Sequence, residues 1–186
     1  MRTAQAVAGS AGFFLLAPGV VAGVVPWWLT GWAAHHPPYW IPGQVLGAGL
    51  VLAGVAALVH AFIRFTGEGR GTPAPPAPTE RLVVGGLYRY VRNPMYLAVL
   101  ATIIGQSMLL GRPVLLPYAL LVGVAVGSFV HWYEEPALTR RFGGSYERYR
   151  RAVPGWWPRL RPWHPDDEQA GTGAPAGDVG RTSRAS

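Results

Sequence analysis

Apolar and polar positions fall in long blocks along this chain, not in the short alternation of a half-buried strand. The first apolar block runs roughly from Ala11 to Ala34, with Pro18 and Pro26 inside it and Trp27, Trp28 and Trp32 near its end. Prolines are tolerated in a membrane helix when neighbours re-satisfy the freed carbonyls, so kinks are expected there. Arg2 ahead of an apolar core also fits a signal peptide, but the block runs on through its tryptophans without a polar boundary, which favours a retained helix. A short loop, His35–Pro42, adds Tyr39 and Trp40 and carries no arginine. The second block, Gly43–Ile63, is 21 residues long, which at about 1.5 Å per residue reaches across the roughly 30 Å hydrocarbon layer. Its small residues, among them Gly47, Gly54 and Ala57, permit close helix packing.

A proline-rich polar run, Arg64–Glu80, reads as an extended linker. The next segment, Arg81–Arg92, is too short and too basic to span, and its Leu82, Val83, Val84 and Leu87 suit an interfacial position. A third block starts at Pro94, favoured as a first helical residue, and ends near Leu110. Three residues, Gly111–Pro113, lead into a fourth block, about Val114–Trp132, with Pro117 inside it. Beyond it Phe142, Tyr146, Tyr149 and Val153 recur at helical spacing, and Gly143 and Gly144 should divide that stretch into two short helices. The pattern predicts an all-α integral membrane protein of about four transmembrane helices. Spans three and four form a helical hairpin, followed by cytoplasmic amphipathic helices. Residues 1–68 form a two-span region, 69–165 the membrane core with its C-terminal helices, and 166–186 a polar tail without aromatics, expected to be disordered.

Charge sharpens this picture. No Asp, Glu, Lys or Arg stands between Arg2 and Arg64, and charged residues are only 13% of the chain, about half the share usual in soluble domains. All sixteen basic residues are arginines and the net charge is +7. They cluster in the loop between spans two and three and after span four, whereas the opposite side holds Arg112 alone. The positive-inside rule accounts for them better than nucleic-acid phosphates do, and it places both termini in the cytoplasm. The absence of cysteine excludes disulfides, thiolate metal sites and cysteine nucleophiles.

The candidate chemistry sits at the cytoplasmic ends of the last two spans. Two adjacent carboxylates, Glu134 and Glu135, repel one another and are costly near a membrane. As a solvated helix end they need no function, since Pro136 can open the next helix; otherwise they bind a cation or a ligand. A short hairpin brings Arg89, Arg92 and Asn93 to the same face, with Tyr88, Tyr90 and Tyr96 beside them. Carboxylates, guanidinium groups and aromatic walls opening toward lipid suit a zwitterionic, partly aromatic cofactor and a lipophilic co-substrate. His60, near the end of span two, reads as an interfacial polar residue more readily than as a ligand.

The order of these pieces resembles the isoprenylcysteine carboxyl methyltransferase and phospholipid methyltransferase superfamily. Members carry Arg-His-Pro-x-Tyr, a hydrophobic hairpin, Glu-Glu, Phe-Gly, spaced tyrosines and Val-Pro. Here these read Arg92-Asn93-Pro94-Met95-Tyr96, Glu134-Glu135, Phe142-Gly143, Tyr146, Tyr149 and Val153-Pro154, and Gly71–Pro75 looks like bacterial members. The resemblance covers about Gly69–Pro158. It implies a bacterial-type inner or plasma membrane enzyme that binds S-adenosylmethionine on the cytoplasmic side, without a metal. By position, Gly86, Leu87, Tyr88, Asn93, Pro94, Tyr96, Glu134 and Glu135 would line the cofactor site, and Glu135 and Arg92 would be the catalytic pair. Asn93 departs from the usual histidine: it can donate a hydrogen bond but carries no charge. The acceptor implied is lipophilic, either a prenyl-type carboxylate for O-methylation or a phospholipid amine for N-methylation. Two rival readings are a membrane reductase using NADPH, whose hairpin-plus-tail architecture is similar, and a non-catalytic membrane protein in which the glutamates are only a helix end.

Overall fold

The computed structural model describes residues 17–37, 40–69 and 82–164, and within them every regular element is helical, with no strand. The start of the first block, Tyr39, most of the proline-rich run and the tail from Asp166 lie outside the described residues. Four helices form the bulk: α1 (Ala17–Thr30), α2 (Ile41–Gly69), α3 (Pro94–Leu110) and α4 (Leu115–Phe129). Two segments, Ile41–Arg64 and Leu115–Phe142, are long and apolar enough to cross a membrane, while Ala17–Thr30 and Pro94–Leu110 are apolar but shorter. Val45, Leu46, Leu52, Leu120, Leu121 and Val124 are exposed, a surface made for hydrocarbon rather than water.

The largest helix–helix contact is that of α2 with α3, and it is close because glycines permit it. A Cβ on Gly54 would fall 2.8 Å from the Ala98 carbonyl, and one on Gly105 would fall 2.8 Å from the Val51 amide. Any larger residue would force the backbones apart. The turn into α4 is four residues, Gly111–Val114, closed by Arg112 N–H to the Ser107 carbonyl at 3.0 Å and Leu115 N–H to Arg112 at 3.1 Å. Gly111 supplies the left-handed backbone (φ 62°) that ends α3. Across the turn Val99 and Ile103 of α3 pack on Leu115 and Ala119 of α4.

Two π-helical turns shape the rest, and both precede a proline. In α1, Val20–Val24 is π-helical and the Val25 N–H bonds the Val20 carbonyl. That leaves the Val21 carbonyl free, and Pro26 has no N–H to offer Ala22. The Tyr118 hydroxyl takes Val21 at 2.8 Å and the Gln106 amide takes Ala22 at 2.6 Å, so α3 and α4 re-satisfy what the turn releases. At the other end, Val130–Glu134 is π-helical ahead of Pro136. The fourth span was expected to finish near Trp132, with Pro136 opening a new helix. Instead the helical path continues through the π turn into α5 (Glu135–Phe142), because the widened turn absorbs the N–H that proline lacks.

At Gly143 the chain breaks and α6 (Gly144–Ala152) begins. Its apolar stripe is packed inside the protein. Tyr146, Tyr149 and Val153 are buried with Trp163 against Leu82, Val84 and Phe142. Residues 82–84 serve two clusters in alternation, since Val83 points the other way, into a core with Ala61, Tyr88 and Met95. This segment therefore holds protein to protein, where an interfacial role was expected.

Candidate functional site

The site gathers where α3 begins, where the π turn ends and where α6 folds back. A short 3-10 helix, Gly86–Arg89, leads into it. Gly86 holds φ 56° and allows His60 and Arg64 of α2 to approach; a Cβ there would sit 2.6 Å from His60 Nε2. Arg92 is the hub. Its Nη1 donates to Glu135 Oε1 at 2.7 Å and to the Tyr146 hydroxyl at 3.0 Å, and its Nε donates to the Val153 carbonyl at 3.0 Å. Both partners of the ion pair are largely enclosed, with side-chain exposures of 14% and 13%. Arg150, half exposed, adds a looser contact to Glu135 Oε2 at 3.4 Å.

The π turn decides which carboxylate goes where. Consecutive residues on a regular helix diverge by about 100°, and the extra residue in a π turn rotates everything after it. Glu135 thereby faces Arg92, while Glu134 receives the Tyr96 hydroxyl at 3.0 Å. The two glutamates thus have separate partners. Below them, the Tyr149 hydroxyl donates to the Tyr88 carbonyl at 2.6 Å in a buried bond. Burial pushes the Tyr149 and Tyr146 phenols above their ordinary range, the Arg92 charge partly opposing this, so both stay protonated, Tyr149 as a donor to Tyr88 and Tyr146 as an acceptor from Arg92.

The segment after α6 is strapped across this junction. Arg92 N–H bonds the Pro154 carbonyl at 2.9 Å, Arg159 N–H bonds Tyr90 at 2.9 Å, and Trp163 N–H bonds Arg89 at 3.0 Å. Arg89 returns a bond from Nε to the Trp163 carbonyl at 2.9 Å. Under the strap lies Asn93, buried, whose Nδ2 has no hydrogen-bond partner. A Cβ on Gly155 would fall 3.1 Å from Arg92 Nη2 and 3.6 Å from Asn93 Nδ2. Two donors thus converge beside the one residue that has no side chain. Pro94 follows as a buried first residue of α3.

Comparison with known proteins supplies the frame for this geometry. A model of the phospholipid methyltransferase family matches residues 43–145. The chain belongs to that family. It is also similar to a protein-S-isoprenylcysteine O-methyltransferase of Schizosaccharomyces pombe (strain 972 / ATCC 24843), at 39% identity over 87 residues, covering 42% of this chain and 34% of the relative. The chain thus spans about a third of the length of the curated relative it matches. No solved structure matches it.

Seen within this family, the residues singled out from the sequence fall into three groups. Arg92, Glu135, Glu134, Tyr96 and Asn93 converge on one junction. Tyr88 contributes its carbonyl to that junction and its ring to a core. Gly86 and Leu87 stand one turn earlier, in the 3-10 helix, where Gly86 faces α2 rather than the glutamates. Sequence reasoning missed Gly155 and the strap bonds of Arg89 and Arg159, whose partners lie more than sixty residues away where no local motif encodes them, and it missed Arg150, which meets Glu135 only because α6 folds back on α5. Among the described residues no His, Asp and Glu cluster is arranged to hold a metal.

Proposed function

We propose that the protein is a membrane-embedded methyltransferase that uses S-adenosylmethionine and methylates a lipophilic acceptor at its cytoplasmic face. One observation carries the reading beyond family membership: the buried, unpartnered Asn93 Nδ2 converges with Arg92 Nη2 beside Gly155. An amide donor left without a partner in a buried place costs about 1–3 kcal/mol, a cost that a ligand carboxylate would remove. The amino-acid end of the cofactor offers such a carboxylate, so the residues present fit the group. Arg92 would face it with Asn93, and because Glu135, Tyr146 and the Val153 carbonyl already fix the guanidinium, little ordering remains to be done on binding. Glu134, oriented by Tyr96, would take a cationic or hydroxyl donor of the same ligand.

When bound, the cofactor supplies an activated methyl group on sulfur, and its transfer requires chiefly positioning and a dry site. The packed tyrosines and the strap exclude water from the Arg92 side, and Glu135 holds the positive group in one place rather than reacting. Asn93 replaces charge by a fixed dipole, which weakens the hold on a carboxylate but does not change its direction. The family and the yeast relative leave two acceptor classes, an isoprenylcysteine-type carboxylate and a phospholipid amine. The proposed topology has four membrane-crossing helices, with α3 and α4 as a hairpin and the site in the cytoplasmic leaflet. Calorimetry of S-adenosylmethionine with detergent-purified protein tests the reading. Wild type should bind, and Asn93→Leu should lose at least about tenfold, about 1.4 kcal/mol, in affinity. Absence of binding by wild type would reject it.

A further inference from the structure

The strap over Asn93 is tied to the protein on both sides of its middle. Arg92 holds the Val153 and Pro154 carbonyls through Nε and its backbone N–H, and the Arg159 and Trp163 amides donate to Tyr90 and Arg89. Between these anchors, among the described residues, no backbone hydrogen bond reaches residues 155–158, the Gly-Trp-Trp-Pro stretch that sets Gly155 beside Asn93. This stretch and the residues after it turn large apolar groups outward: Trp157 is 81% exposed and Leu160 98%. Their neighbours Val153 and Trp163 are packed away in a core. Hydrocarbon left bare in water is unfavourable, so a surface outside the fold covers these two side chains.

The level of the strap says which surface that is. Its bonds to Tyr90 and Arg92 put it at the end of α3 that Pro94 opens. Trp132 and Tyr133, exposed as well, stand at this same end, because Glu134 beside them meets Tyr96 in the first turn of α3. The exposed apolar side of α4 runs up to this level. Exposed tryptophan and tyrosine at the end of a hydrocarbon-facing surface are placed for the headgroup region of a bilayer. Charge then selects the lipid. Between Glu134 and His164 stand seven arginines and three glutamates, and two of those glutamates are engaged by Arg92 and Tyr96. Such a surface attracts anionic headgroups. We propose that Trp157 and Leu160 seat the strap in an anionic leaflet at this end of the bundle, and that the bilayer thereby holds Gly155 beside Asn93. Lipid docking and cofactor binding are then coupled, since the lipid favours the strap position that shapes the pocket; this coupling rests on the methyltransferase reading above.

Two measurements in nanodiscs of phosphatidylglycerol and, separately, of phosphatidylcholine test it. The chain has no cysteine, so Leu160→Cys carries a single nitrobenzoxadiazole fluorophore. In phosphatidylglycerol its emission should be lost to a lipid bearing a nitroxide high on one acyl chain and be shielded from acrylamide in the water. Quenching by acrylamide but not by the lipid would overturn the inference, and so would shielding from both, which a second copy of the chain over this face would produce. Calorimetry then reads the coupling: wild type should bind S-adenosylmethionine at least about fivefold more tightly in phosphatidylglycerol than in phosphatidylcholine. Trp157→Ser combined with Leu160→Ser should abolish that difference with an unchanged thermal midpoint, since both side chains lie outside the packed core. Equal affinity of wild type in the two lipids, or a lipid dependence that the double variant retains, would overturn the inference. If no protein bound S-adenosylmethionine while the lipid nitroxide still quenched position 160, the methyltransferase reading would fall and the lipid seat of the strap would stand.

Discussion

Replacing Glu135 by glutamine keeps the shape and one acceptor oxygen but removes the charge facing Arg92. The expected cost follows from the surroundings. Removing one partner of a well-buried pair outright costs about 3–5 kcal/mol. Here the loss is smaller, because the amide oxygen of glutamine can still accept from Nη1 and because Tyr146 and the Val153 carbonyl keep their bonds to the guanidinium. What goes is the charge assistance of one 2.7 Å bond between groups only 14% and 13% exposed, worth about 1.5–3 kcal/mol for a hydrogen bond to a charged group. The contact to half-exposed Arg150 at 3.4 Å adds little. A loss of about 2 kcal/mol is therefore expected. Reversible unfolding in nanodiscs would measure it, with Glu135→Ala as the companion variant, expected to lose more because no acceptor remains. If Glu135→Gln unfolded within about 0.5 kcal/mol of wild type, the enclosed pair would not be the organiser of the junction, and the view of Arg92 as a pre-fixed guanidinium would fail.

Two further outcomes test the packing. Gly54→Leu should separate α2 from α3, since even a Cβ falls 2.8 Å from the Ala98 carbonyl; a loss of folded, monodisperse protein by size-exclusion chromatography is expected, whereas Gly49→Leu, where a Cβ meets nothing within 4 Å, should be tolerated. Tyr149→Phe should cost about 1 kcal/mol by removing the buried bond from its hydroxyl to the Tyr88 carbonyl. Because burial raises the folded-state phenol above its unfolded value near 10, the unfolded chain ionises first, so Tyr149 holds its full contribution below about pH 10 and loses it as pH rises further. Alkaline unfolding curves should therefore be shallower in Tyr149→Phe than in wild type.

Much of the helical layout was legible because apolar blocks and their breakers act locally. Pro94 at the start of α3, Gly111 past its end and Gly143 between α5 and α6 each mark a helix limit through their own backbone requirements. The clustering of Arg92, Asn93 and the glutamates near one junction also followed from two apolar helices joined by a short turn. Pro136 was less legible. A proline can open a helix or be absorbed in a π turn, and the choice depends on what else the neighbouring backbone can bond to.

By itself, the sequence pointed to the class of the molecule: long uncharged blocks suit hydrocarbon better than water, and the ordered motif set resembled the family whose model matches the chain. Only the tertiary structure decided the partners. Which glutamate meets Arg92 and which meets Tyr96 is a matter of rotation about one π turn. That Asn93 lies buried without a partner beside Gly155 depends on a strap whose bonds join residues more than sixty positions apart. Periodicity reports the face a side chain occupies, and it carries no information about which distant face arrives opposite.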